Sequence, residues 1–452
     1  MLDRAQAGAD QGRTARVNAA AITASLTGLE VAQLATSSTR PPFQPVPFAA
    51  LAAGAAGPRF DPVRTTPLHE WHVVHGAVFE DVGQWKRPRY YAPHGQGMDA
   101  ALARECRAAR ERVALMDAST LGKIVVEGPD ALTFLERLYT TDLASLAVGR
   151  ARYALMCTAD GMVFDDGVVI RLEEQRYLTT TTTGGAATVL EWMEEWLQTE
   201  WPELRVWLTS VTEQWATVAV VGPRSRELLA AAAPDLDVGR EDFRFMAVRD
   251  ARVAGIDAMV ARVSFSGELA FEVWVPGDRG LALWEALWSA GEPFGVDAYG
   301  TESMHVLRAE KGYVIVGQET DGTVTPLDLG LDWLVSSTKE FVGRRSLRRP
   351  DATRTGRKQL VGLLPADPVH VLAEGAQLTA GPAGEPPVPM LGHVTSSYRS
   401  EVLGRSFALA LLADGRERHG ETLHVYHLGN AQTATVVDPV LYDEKGTRRD
   451  GD

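Results

Sequence analysis

The 452-residue chain has only two cysteines, Cys106 and Cys157, too few for a disulfide framework or a thiolate metal centre. No run approaches the roughly 18 apolar residues that cross a bilayer, and no long apolar core follows Met1-Leu-Asp-Arg4, so a cytoplasmic protein is expected. Basic charge is scarce: 45 Lys and Arg face 59 Asp and Glu, a formal net charge of -14. That balance argues against nucleic acid and anionic membranes as partners. No Gly-x-Gly-x-x-Gly follows a strand, no phosphate loop ends in Lys-Ser/Thr, and the Gly184-Gly185 pair is too sparse for either. The chain therefore lacks the signs of a dinucleotide site of its own. Ser119, Ser264 and Ser303 lie in no nucleophile elbow, which leaves hydrolase triads unsupported.

What is present begins with Tyr153-Ala-Leu-Met-Cys-Thr-Ala-Asp-Gly-Met-Val-Phe-Asp165-Asp166. An apolar run, an Asp160-Gly161 turn and a second apolar run predict a β-hairpin. Two adjacent carboxylates interrupt the second strand. Side chains alternate along a strand, so one of the pair faces inward if the other faces water. A carboxylate in an apolar interior is costly unless something there requires it, which marks the pair as a candidate site.

Length and an ordinary 45% hydrophobic content predict two or three domains. Residues 1–60 are set apart by a polar start, an Ala-rich helix candidate over 17–34, and a run with Pro41, Pro42, Pro45 and Pro47. Such a run is extended, either as a linker lying on its own domain or as an arm docking on another subunit. A helix is expected over 98–114. A strand, Gly-Pro turn and helix then occur twice, at Gly128-Pro129 and Gly222-Pro223, with proline placed in the first helical turn. The recurrence predicts two similar α+β lobes over residues 61–340. Past an arginine-rich stretch, residues 341–452 break into short strands at 359–364, 390–396, 406–412, 421–427 and 431–437, a small all-β barrel or jelly roll. His69, His72 and His75 recur every third residue without a carboxylate-rich second set, and surface or capping roles are favoured over a metal.

Several blocks together resemble the aminomethyltransferase family, the T-protein of the glycine cleavage system. They are Arg64-Thr-Thr-Pro-Leu-His-Glu-Trp-His, Leu115-Met-Asp-Ala-Ser119, Val126-Glu-Gly-Pro129, the Asp-pair hairpin, Ala261-Arg-Val-Ser-Phe-Ser-Gly267-Glu-Leu-Ala-Phe271-Glu272, Val316-Gly-Gln-Glu and Leu329-Gly-Leu-Asp-Trp333. Their order holds over roughly residues 64–445. Within that superfamily, Arg308-Ala-Glu-Lys-Gly-Tyr-Val-Ile-Val-Gly-Gln-Glu-Thr-Asp-Gly and Asp438-Pro-Val-Leu-Tyr-Asp-Glu-Lys-Gly-Thr-Arg-Arg more closely resemble the folate half of the alpha subunit of heterotetrameric sarcosine oxidase. The proline-rich arm is similar to the segment that precedes that half.

The resemblance implies an α+β fold with two lobes around a central folate cavity, plus the C-terminal barrel. It implies tetrahydrofolate as cofactor and flavoprotein oxidase subunits, carrying FAD or FMN, as partners. Those subunits would oxidise a small N-methyl amine, and the iminium or formaldehyde-level carbon would pass to folate as 5,10-methylenetetrahydrofolate. It further implies Asp166 as the catalytic carboxylate, with Asp165 pointing away or accepting a structural hydrogen bond. Glu272 would hold the pterin edge and Tyr153 line the folate. Thr182 and Phe265 stand where the T-protein has asparagine and tyrosine. Met304 replaces an arginine, with Arg308 one helical turn later, and Trp333 and Tyr442 could wall the pocket. A stand-alone folate-dependent demethylase and a scaffold that keeps the fold without folate chemistry are the other two readings.

Overall fold

The computed structural model describes Gly28 and residues 63–451 apart from 383, 385 and 386; the helix and arm expected within residues 1–60 lie outside the described residues. Two sheets carry the first part of the chain. The five-stranded sheet, in order β5-β6-β7-β4-β8, is built from β4 (Gly122–Glu127), β5 (Arg150–Cys157), β6 (Val163–Glu173), β7 (Arg176–Thr181) and β8 (Trp207–Ser210). The six-stranded sheet, in order β10-β11-β12-β9-β3-β13, uses β3 (Val113–Asp117), β9 (Trp215–Val221), β10 (Val248–Val253), β11 (Ile256–Ala261), β12 (Ala270–Pro276) and β13 (Val296–Ala298).

Each sheet buries its outer face under helices and its inner face against the other sheet. Phe134, Leu135 and Leu138 of α3 (Ala131–Leu138) and Val189 and Met193 of α4 (Ala186–Glu195) cover the first. Leu228 and Leu229 of α5 (Ser225–Ala232) and Leu283, Trp284 and Leu287 of α6 (Gly280–Gly291) cover the second. Val125, Ile170 and Leu178 meet Met259, Ala261 and Trp274 between the sheets.

The two lobes repeat one turn. Gly128 and Gly222 both have positive φ, +135° and +122°. A Cβ would strike a carbonyl oxygen at either, Arg205 O at 2.2 Å or Arg112 O at 2.5 Å, so only glycine fits. The carbonyls of Gly128 and Gly222 accept from the N–H of Ala131 and Ser225, each at 3.0 Å. Pro129 and Pro223 precede those helices by two residues rather than standing inside the first turn. The helix expected over 98–114 is α2 (Met98–Glu111), which stops because Val113–Asp117 is needed as a strand between β9 and β13.

β14 (Lys358–Pro365), β15 (Gln377–Thr379), β16 (Gly392–Ser400), β17 (Arg405–Ala413), β18 (Thr422–His427) and β19 (Asn430–Val437) close as a barrel in order β14-β17-β16-β15-β18-β19. Its outward Leu360, Phe407, Leu409 and Leu411 share a core with Cys106 of α2 and Leu307 of α7 (Thr301–Glu310). Alternate residues Val361, Ala408, Ala410 and Leu412 fill the barrel. The three histidines sit on or just beyond α1 (His69–Val74). His72 is buried, with Nε2 3.2 Å from Asp117 Oδ2 and Nδ1 2.9 Å from the Tyr91 hydroxyl. His75 stacks on Trp71 and His69 packs against Phe79.

Arg308, expected beside folate, is instead the tie between α7 and the barrel. It is fully buried, 2.7 Å from Glu319, and also donates to the Tyr313 carbonyl, Gln318 Oε1 and Ser396 Oγ. Arg308→Met would leave Glu319 buried without its counter-charge. We predict a loss of about 3–5 kcal/mol in urea unfolding, largely restored when Glu319→Leu is added. An Arg308→Met protein of parental stability would return Arg308 to the list of ligand-binding candidates.

Candidate functional site

The hairpin expected around the aspartate pair is β5 and β6, turned at Gly161 with φ +84°. The register slips near its tip: Cys157 pairs with Val163 and Met156 with Asp165, leaving Phe164 as an extra residue. Such a bulge re-aims the side chains that follow it. Asp166 pairs with Leu155 and shares its strand face with Val168 and Tyr153. Val168 packs against the cluster between the sheets, so that face looks into the inter-sheet space. Asp165 goes the other way, onto the face whose Ala154, Met156 and Val169 pack with α3 and α4.

Tyr153 Oη donates to Asp166 Oδ2 at 2.5 Å. Burial pushes the Asp166 carboxyl up to about 6, and the Tyr153 bond opposes that rise. The tyrosine hydroxyl is itself pushed well above its usual range by burial and by Asp166. Trp333 lies 6.3 Å from the Tyr153 ring. Phe265 stacks on Tyr313 at 6.1 Å. Trp333 is 68% and Phe265 40% exposed, so both present apolar ring surface to a ligand.

Across the gap, Glu272 shares a face of β12 with Trp274, whose Nε1 donates to Glu272 Oε2 at 3.1 Å. Burial raises the glutamate, and the charge of Lys123 opposes the rise. Lys123 is buried on β4 with Nζ held by the carbonyls of Ser119 and Leu121, both at 2.9 Å. Burial brings its ammonium down to about 8 while Glu272 and Asp117 support the charge. An acid and a cation thus hold each other's charge between apolar sheets.

The structure brings Asp166, Tyr153, Phe265, Glu272 and Trp333 to the inter-sheet side or its rim. Thr182 belongs to the other side: its N–H donates to Asp165 Oδ2 at 3.3 Å and its Oγ1 accepts from Gly185. Tyr442 is committed elsewhere too, donating to Glu268 at 3.0 Å with the Arg110 guanidinium 4.2 Å above its ring. That ring and the buried Arg110–Glu310 and Arg110–Glu268 pairs fasten the C-terminal segment to α2 and α7. Three residues were not anticipated. Lys123 had a signal, a lone cation in the apolar strand Gly122-Lys-Ile-Val-Val-Glu127. Tyr313 and Arg449, whose guanidinium lies close enough to lower the tyrosine hydroxyl against its burial, come from segments far apart and had none.

Two predictions follow from the buried acids. Asp165 is raised to about 7, first by burial and then by Asp166. Both folded values lie above the roughly 3.9 of an unfolded aspartate, so between those limits the native state holds more protons. Stability contributed by the pair is therefore present below pH 4 and falls as pH rises toward 7. Asp165→Asn should flatten that slope in pH-dependent urea titrations; an unchanged slope contradicts the assignment. Tyr153→Phe removes a donor to the carboxylate, so the Asp166 titration followed by carbon-13 NMR should move upward from about 6.

Comparison with known proteins agrees with this architecture. Residues 68–339 match the GCVT N-terminal domain, 358–443 the glycine cleavage T-protein C-terminal barrel domain, and 4–55 the sarcosine oxidase A3 domain. The chain is 55% identical to sarcosine oxidase subunit alpha of Corynebacterium sp. (strain U-96) over 98% of its own length and 46% of that protein's. It thus spans about half the length of that relative. It is 33% identical to the aminomethyltransferase of Streptomyces coelicolor, covering 77% of this chain and 89% of that one. The crystal structure of glycine cleavage system aminomethyltransferase T from Bartonella henselae superposes with a TM-score of 0.73 at 23% identity, over 84% of this chain and 99% of the other, which shows the shared fold. With both domain matches in order along the two lobes and the barrel, the chain belongs to the aminomethyltransferase family of the glycine cleavage T-protein.

Proposed function

We propose that the chain binds tetrahydrofolate between the two sheets and is the one-carbon-accepting part of an N-methyl amine oxidase assembly. In this reading residues 1–60 form a docking arm, 61–340 the folate-binding region and 341–452 the supporting barrel. The 55% identity to a sarcosine oxidase alpha subunit and the A3-domain match over residues 4–55 support an assembly rather than a solitary enzyme. Oxidation is assigned to flavoprotein subunits of such an assembly, in line with the identity to a sarcosine oxidase alpha subunit.

The single observation that carries the reading is the Asp166 carboxylate, buried without a cation beside it and bonded by Tyr153 on the inter-sheet face. The donor set fits a folate. Glu272 can accept paired N–H groups from a pterin edge, and Phe265, Tyr313 and Trp333 offer ring faces for flat groups. When bound, tetrahydrofolate supplies the nitrogens that take up a one-carbon unit.

The protein's own part is electrostatic. Above pH 6 Asp166 is mostly ionised, and an anion in a low-dielectric site strongly favours positive charge developing nearby. Tyr153 holds Oδ2 in place, so the carboxylate does not reorganise as that charge forms. The same group can take a proton, since its affinity for one lies near the working range.

Asp166→Asn should retain tetrahydrofolate binding within a few-fold and lower methylenetetrahydrofolate formation by the assembled enzyme about 100-fold or more. Turnover at the parental rate would remove Asp166 from the mechanism. Glu272→Gln should do the reverse, weakening folate binding by about 1.5–3 kcal/mol, a charged hydrogen bond's worth. Isolation of an active, flavin-free monomer would favour the stand-alone enzyme, and absence of folate binding to the assembled complex would favour the scaffold.

A further inference from the structure

Lys123 stands wholly buried on β4, where an ammonium is costly unless something nearby needs its charge. Two of its N–H groups are taken by the Ser119 and Leu121 carbonyls, both at 2.9 Å. These carbonyls belong to the segment that passes from β3 to β4, and so from one sheet to the other. They are neutral, and an amide would serve them as well. The ammonium itself lies 5.2 Å from the centre of the Trp274 ring. The same indole donates through Nε1 to Glu272 Oε2 at 3.1 Å. Trp274 therefore has the cation at its ring and the anion at its N–H.

Two anions face Lys123, Glu272 on β12 and Asp117 at the end of β3. Asp117 has partners of its own. Thr66 Oγ1 donates to it at 2.6 Å, the Ser119 N–H donates at 3.0 Å, and His72 Nε2 lies 3.2 Å away. Burial works to raise its carboxyl, but His72, Ser119 and Thr66 outweigh that and hold it below the usual carboxylate range. Glu272 is less well served. Among the described residues its carboxylate accepts only the Trp274 N–H, and burial raises it against the charge of Lys123. Tyr299, just past β13, is pushed up by burial and then by Glu272, so it brings no charge to the site.

We propose that Lys123 is a positioning residue of the folate site: across the Trp274 indole, its ammonium keeps Glu272 a carboxylate, able to accept both N–H groups of a pterin edge. A protonated glutamic acid turns one oxygen into a donor and accepts only one of that pair. This role rests on the reading of Glu272 as the pterin acceptor, and it carries a pH signature of its own. Without the ammonium, burial acts on Glu272 unopposed, and the acid takes up its proton at higher pH. Burial also brings the Lys123 ammonium down to about 8, so above that range the parent loses the charge as well.

The test is anaerobic calorimetric titration of the chain with tetrahydrofolate from pH 6 to pH 9, for the parent and for Lys123→Gln, whose amide can keep the two carbonyl bonds. The variant should bind about tenfold more weakly at pH 6, the difference between a charged and a neutral hydrogen bond. The gap should close to about twofold at pH 9, where the parent ammonium is also gone. In a Glu272→Gln background the substitution should change affinity by about twofold or less at any pH. Carbon-13 NMR should show the Glu272 titration moved upward in Lys123→Gln. A deficit equal at every pH, or a Glu272 titration that stays in place, overturns the role of Lys123 alone. A parent that does not bind tetrahydrofolate overturns the reading of Glu272 as well. If Lys123→Gln does not fold, the parent decides. Its Glu272 signal should carry a second inflection near pH 8 as Lys123 loses its proton, and a signal without one refutes the proposal.

Discussion

The chemistry of this protein depends on one backbone irregularity. Phe164 is an extra residue in β6, and the two acids after it leave the strand on opposite faces. Among the described residues no cation is paired with either acid, and both are raised by burial, to about 6 for Asp166 and about 7 for Asp165. Such groups are expensive, and their persistence is most simply explained by what they face. Asp166 faces the space between two sheets, where a tyrosine fixes it. Asp165 faces the other way, toward the Thr182 N–H.

Everything else holds the inter-sheet space open. The sheets touch through Val125, Ile170, Leu178, Met259 and Trp274, while Glu272 and Lys123 place a compensated charge pair inside the same interface. Among the described residues, the barrel adds no acid of its own to the site. It braces α7 through Arg308, Glu319 and Ser396, and α7 leads directly to Tyr313, which stacks on Phe265. The C-terminal segment is pinned by Lys311 Nζ to the Tyr442 carbonyl at 3.0 Å and delivers Arg449 to Tyr313. The rim of the cleft is thus assembled from distant parts of the chain, and the buried ion pairs fix their register.

Local features were legible in the sequence. The Asp160-Gly161 hairpin and the two Gly-Pro turns depend on neighbouring residues, and both glycines adopt the positive φ that only glycine takes up readily. The longer barrel strands were also readable, but β15, three residues among glycines and prolines, was not. Features set by distant contacts were hidden. The helix expected to run to residue 114 ends at Glu111 because Val113–Asp117 is drawn into the sheet beside β9. Arg308 sits near the expected binding position in sequence, yet Glu319 and the barrel capture it. Thr182, placed by register alone, turns out to cap the segment leading into α4. Residue type pointed to Asp166, whereas the burial that raises its carboxyl came only with the fold.

The most direct measurement is a crystal structure of the chain with tetrahydrofolate bound. The account predicts the ligand between the sheets, with its pterin edge on Glu272 and an Asp166 oxygen within hydrogen-bonding reach of its reactive nitrogens. Folate seated instead on the Asp165 side of β6, with Asp166 out of reach, would contradict it.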